Sequence, residues 1–240
     1  MIKRIVGTAL TLALVASACA TTQQTEISDK TYCPFLGTNV CTKLVATETP
    51  GRFSSGDPAT AKANLRYVNP NVQWSQYTKI LIQPVTFWGE DDEKLSAKDQ
   101  LDLTNYFYQS LEQKLSTKFQ VVSEAGPGVM RLQVALEDAT TATPVLRTIS
   151  MLIPQARALA TLKFVATGTY PFVGSAQAAG KVTDSVTGVL LAAAVDRRVG
   201  GGALRTAAQW QLGDAEDAIN AWTQQLTDRL SSWQAGTAKP

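Results

Sequence analysis

Leu103, Phe107, Leu111 and Leu115 recur every fourth residue, and Ala215, Ile219, Trp222, Leu226, Leu230 and Trp233 share one helical face near the end of the chain. Two such stripes need a broad apolar surface to cover them. Met130, Leu132, Val134 and Leu136 supply part of it, alternating with Arg131, Gln133, Ala135 and Glu137 in the period-two pattern of a half-buried strand. Ser96 stands where an N-cap belongs, with Asp99 in the first turn, and Asp214 is read as the cap of the last helix. Residues 79–83, Lys-Ile-Leu-Ile-Gln, form a short strand stopped by Pro84, which cannot donate to a ladder. Residues 172–184 and 189–197 read as a hairpin about Ser185-Val-Thr-Gly188. The continuously apolar stretch 189–195 belongs in the sheet interior. The order strand, helix, strand, apolar connection, hairpin, helix predicts an α/β chain. In detail it predicts an α+β two-layer sandwich, with two main helices packed on a mixed or mostly antiparallel sheet, as one globular domain over residues 65–235.

The N-terminus sets location. Lys3 and Arg4 precede an apolar stretch, residues 5–15, and Ala16-Ser17-Ala18 leads into Cys19. Residues 1–18 read as a signal peptide, because the apolar stretch is about half of the ~20 residues a spanning helix needs. The site fits lipoprotein signal peptidase, which makes Cys19 the acylated (palmitate-bearing) mature N-terminus. Ala16-x-Ala18 also fits ordinary signal peptidase, which leaves Cys19 unmodified. The chain has three cysteines. Pairing Cys33 with Cys41 as a disulfide leaves Cys19 as the odd one, and lipidation accounts for it. The alternative for Cys33 and Cys41 is two buried thiols. Ala20 rather than aspartate after Cys19 fits sorting to the outer membrane. The expected localisation is therefore the outer membrane of a Gram-negative bacterium, lipid-anchored and facing the periplasm. Residues 19–64, rich in Thr, Ser, Gly and Pro, read as a lipidated tether carrying the Cys33–Cys41 loop. Loss of Lys3 and Arg4 takes the formal charge from +2 to about zero, which gives no electrostatic case for nucleic acid or for strong electrostatic membrane binding.

Several segments together resemble the bacterial lipoproteins of the domain of unknown function 3313 family. They are residues 77–88, Tyr-Thr-Lys-Ile-Leu-Ile-Gln-Pro-Val-Thr-Phe-Trp; residues 150–154, Ser-Met-Leu-Ile-Pro; residues 167–176; and residues 184–200, the most specific block. The final helix, with Ala221-Trp222, also fits. The resemblance spans roughly residues 35 to 233 and implies an α/β lipoprotein domain. It brings no activity and no catalytic residues. The element order is also similar to small envelope domains of curli-secretion lipoproteins, penicillin-binding-protein activators and the Tol translocation protein, a likeness of fold only.

Chemistry is sparse. With no histidine, Ser-His-Asp and Cys-His mechanisms are excluded, and the commonest metal ligand is missing. Gly174-Ser175-Ala lacks the second glycine of a nucleophile elbow, and Gly200-Gly-Gly202 lacks the lysine of a phosphate loop, so it reads as a flexible connection. Glu90, Asp91, Asp92 and Glu93 read as a solvated loop. No catalytic residue, metal or cofactor is expected. Two stretches remain as a partner surface. Asp196-Arg197-Arg198, with Asp184 across the hairpin, is either a structural ion pair or a site for an anion or protein partner. The apolar connection 144–165 carries Ile149, Leu152 and Ile153. No acidic residue occurs between Ala139 and Thr183, so it suits packing on the sheet, association, or a membrane interface. The reading is a non-catalytic association module, binding an envelope protein or itself. Alternatives are an oligomeric pore or secretion subunit, and a small-ligand binder using Asp184, Asp196 and Arg197.

Overall fold

The computed structural model describes residues 22–25, 27, 31–47, 64–88, 95–140, 174–200 and 212–239. In chain order the elements are β1 (Thr22–Gln24), α1 (Tyr32–Leu36), α2 (Thr38–Cys41), β2 (Val45–Ala46), β3 (Leu65–Val68), a 3-10 turn (Trp74–Gln76), β4 (Lys79–Ile82), β5 (Thr86–Phe87), α3 (Ala97–Leu115), β6 (Gln120–Val121), β7 (Val129–Thr140), β8 (Ser175–Asp184), β9 (Leu190–Gly200) and α4 (Gly213–Gln234). The sheet is mixed, in the order β2-β3-β9-β8-β7-β4-β6, with β1 added to β9 and β5 to β7. β4 runs parallel to both β6 and β7, while β7, β8 and β9 form an antiparallel centre. This is the α/β architecture expected from the apolar periods.

The period-two pattern decides the layers. Leu132, Val134 and Leu136 face the helices, and β8 and β9 align Val182, Ala178 and Ala192 with them. Leu103, Phe107, Leu111 and Leu115 of α3 and Ile219, Trp222 and Leu230 of α4 close this core, with Phe107 stacked on Trp222 at 6.0 Å. Ser96 caps α3 as expected, its hydroxyl accepting from the Asp99 amide.

The opposite face of the sheet is partly covered as well. α1 and α2, joined by the Cys33–Cys41 disulfide, cover part of it, and Tyr32 and Leu36 pack there against Ala179 and Val195. Lys181 crosses to this layer and donates to the carbonyls of Phe35 and Leu36. β1 and β2 join the sheet. The segment read as a tether therefore contributes four elements. Its polarity concealed them, because short edge strands and a one-turn helix need little apolar sequence of their own.

Two local readings are corrected. Asp214 does not cap α4, which begins at Gly213 after Leu212. Its buried carboxylate instead accepts from the Gly174 amide at 2.7 Å. Gly200 is no mere flexible spacer: a Cβ there would lie 2.3 Å from Asp214 Oδ1, so only glycine fits the close approach of strand and carboxylate.

Candidate functional site

Among the described residues, those around Asp196 form a dense polar cluster. β9 places Asp196 and Arg198 two residues apart, hence on the same, helix-facing side. They are 5% and 9% exposed. Arg198 Nε donates to Asp196 Oδ2 at 3.1 Å, and the Trp222 indole of α4 donates to the same oxygen at 2.7 Å. Oδ1 accepts from the Asn64 amide at 3.0 Å and from the Gln24 side chain. Arg198 reaches on to Thr22 Oγ1 at 3.2 Å and toward Gln225 of α4. Burial holds the Asp196 carboxyl above the usual carboxylate range, against the opposing pull of Arg198 and the other donors. Each of these partners donates to the carboxylate, and a proton on it would face them. These donors favour the ionised form, against burial.

Asn64 completes the join. Its side-chain amide donates to the Thr25 carbonyl at 3.0 Å, and its oxygen accepts from the Arg197 amide at 2.9 Å. β1 and β3 occupy successive lengths of the same edge of β9, and Asn64 sits at the seam between them. The cluster thus ties four distant pieces of chain together: residues 22–25, residue 64, β9 and α4.

This arrangement changes the standing of the charged group. Asp196 and Arg198 are interior, so they offer no open anion or partner surface. Arg197 lies between them in sequence and, by strand alternation, points to the opposite face. Asp184 is not part of the group. It sits six residues along β8 from the partner of Asp196, about 20 Å away. There it accepts from the amides of Val186 and Thr187 in the hairpin turn and from the Tyr77 hydroxyl at 3.0 Å. The Thr187 amide leads the interactions that hold its carboxyl below the usual range, against burial. Burial, with Asp184 beside it, pushes Tyr77 up to about 12. Sequence reasoning missed Thr22, Gln24, Asn64 and Trp222. Only alternation along β9 offered a signal, by separating Arg197 from its two neighbours.

A pocket of about 150 Å³ opens between the sheet and α4. Small side chains make it: Ala178, Gly180, Ala192 and Ala194 form its floor, Leu226 and Trp233 stand over it, and Arg66 lines it. Asp196 lines it too, but neither Asp184 nor Arg197 does. The three residues of the ligand-binding alternative therefore do not converge. Cys19, Ile149, Leu152 and Ile153 lie outside the described residues, as do Glu90, Asp91, Asp92 and Glu93. Among the described residues no His/Cys/Asp/Glu cluster suits a metal ion, and no helix is long and apolar enough to cross a membrane.

No curated protein matches the chain. Among solved structures it is similar to the PelC dodecamer from Paraburkholderia phytofirmans, with a TM-score of 0.38 and 10% identity over 68% of this chain and 95% of that one. It is similar also to protein XCC0632 from Xanthomonas campestris, with a TM-score of 0.39 and 10% identity over 71% and 95%. A putative neuraminyllactose-binding hemagglutinin homolog from Helicobacter pylori follows at 0.33 and 8% over 70% and 93%. These scores are too low to carry anything over to this chain. The family profile described as "Protein of unknown function (DUF3313)" matches residues 53–226, most of the chain, and the protein belongs to that family.

Proposed function

We propose that this protein is a non-catalytic, lipid-anchored association module of the bacterial envelope, held in the outer membrane through Cys19 and facing the periplasm. The observation that carries the reading is the use made of the buried charges. Asp196 and Arg198 are spent on fastening the strand that begins three residues after Cys19. Charges committed in this way build a scaffold, and neither Asp196 nor Arg198 is itself poised for proton transfer or nucleophilic attack. The partner is an envelope protein or a second copy of the chain, met through the acid-free apolar stretch that includes Ile149, Leu152 and Ile153.

Two measurements test this. Cys19→Ala should move the protein from the membrane to the soluble periplasmic fraction; retention in the membrane counts against the anchor. Leu152→Glu with Ile153→Lys should abolish in-cell crosslinks to the partner without releasing the protein from the membrane. Unchanged crosslinks and unchanged oligomer size would remove that stretch from the reading.

The pocket favours a second reading, a binder of small apolar ligands. Most of its lining residues are aliphatic or aromatic, with Arg66, Asp196, Gln225 and Arg229 as the charged and polar ones. That reading keeps the anchor and replaces the protein partner. A thermal shift on adding a short-chain fatty acid would support it, and its absence across chain lengths would end it.

A further inference from the structure

We propose that the sheet edge marked by Thr22, Ser175 and Gly200 lies directly against the lipid surface that holds Cys19, so that the domain stands on the membrane by its strand ends. The inference rests on the anchor reading above and adds an orientation to it. Its basis is the length of chain between the anchor and the first fixed residue. β1 pairs Thr22 with Gly200, Gln23 with Val199 and Gln24 with Arg198. Thr22 is 5% exposed, and its hydroxyl accepts from Arg198 at 3.2 Å. The chain is therefore held from Thr22 onward. Only three residue steps separate Thr22 from Cys19, which is at most about 11 Å fully extended.

That reach is short against the domain. β8 and β9 run about 30 Å from this edge to the Asp184 turn. A tether a third of that length cannot let the domain hang free or turn over. The edge itself is made of strand ends brought level: Thr140 pairs with Ser175, and Ser175 with Val199. α4 begins beside them, where Asp214 accepts from the Gly174 amide. The turn with Val186, 64% exposed, is at the far end.

The test uses the full lipidated chain in nanodiscs of phosphatidylethanolamine and phosphatidylglycerol, with a fraction of the lipid spin-labelled at the headgroup. Amide signals of Thr22, Ser175 and Gly200 should broaden at least several-fold more than those of Val186, Thr187 and Gly188. Equal broadening at both ends, broadening at the turn alone, or none anywhere would overturn the orientation. Mass spectrometry of the N-terminal peptide separates the two readings. An unmodified Cys19 sinks the anchor. An acylated Cys19 with uniform signals sinks only the orientation.

Discussion

Asp196 shows how far one residue's meaning depends on its strand. Its carboxylate accepts from Arg198, Trp222, Asn64 and Gln24, which come from four separate stretches of chain. Asp196→Asn would turn an amide nitrogen toward at least one donor and leave Arg198 buried without its counter-charge. The cost should be about 3 kcal/mol or more, a fall of roughly 10 °C in the thermal unfolding midpoint. A paired Asp196→Asn, Arg198→Met variant should recover part of that loss, since the uncompensated charge is gone; equal melting of the single and paired variants would show that the ion pair is not what matters. Tyr77 gives a second residue-level expectation. Folded, it keeps its proton to about pH 12, whereas an unfolded tyrosine releases it near pH 10. The unfolded state then binds fewer protons between those values, so stability should fall as pH rises through that window. Denaturant titrations of Tyr77→Phe should show a flatter alkaline limb. Asp184 acts at the other extreme: its depressed carboxyl contributes at neutral pH, and the contribution is lost as pH falls below about 4.

Among the elements, the N-terminal layer depends most on covalent support. α1 has five residues and α2 four, lengths at which an isolated helix does not form in water. Cys33 and Cys41 lie eight positions apart, and Tyr32 and Leu36 lock their short loop onto β8 and β9. Cys33→Ser with Cys41→Ser should lower stability by about 2 kcal/mol and raise amide exchange in α1 while leaving β7 protected, a pattern that exchange mass spectrometry reads directly. Elements with a strong internal period were legible in the sequence: α3, α4, β7 and the β8–β9 hairpin need only their own residues to declare a face. β1 was not, because Thr-Gln-Gln has no apolar period and its partners lie at the far end of the chain. The same cause hid the site. The Asp-Arg-Arg run was visible as charge, but what surrounds it comes from Thr22, Gln24, Asn64 and Trp222, and no local pattern joins them.

At the scale of the whole molecule, the large side chains of α4 meet a sheet floor of alanine and glycine. Trp222 and Trp233 take up part of the space, the latter against Trp74 at 4.8 Å, and about 150 Å³ remains. Were that volume sealed and dry, roughly 24 cal/mol per Å³ would make it a deficit of about 4 kcal/mol. Opening to solvent reduces the deficit without removing it, so the domain is held together by its sheet, its polar cluster and α3 more than by the fit under α4. Gly180 tests this. It lies within β8 on the pocket floor, and an added Cβ would meet only Gln133 O and Val134 Cγ2, both at an ordinary 3.7 Å. Gly180→Ala should therefore stabilise the protein by about 0.5–1 kcal/mol, through reduced unfolded-state freedom and a better-filled floor, and raise the unfolding midpoint by roughly 2–4 °C. A lower midpoint would mean that the floor is already tightly packed, and the small-ligand reading would lose its space.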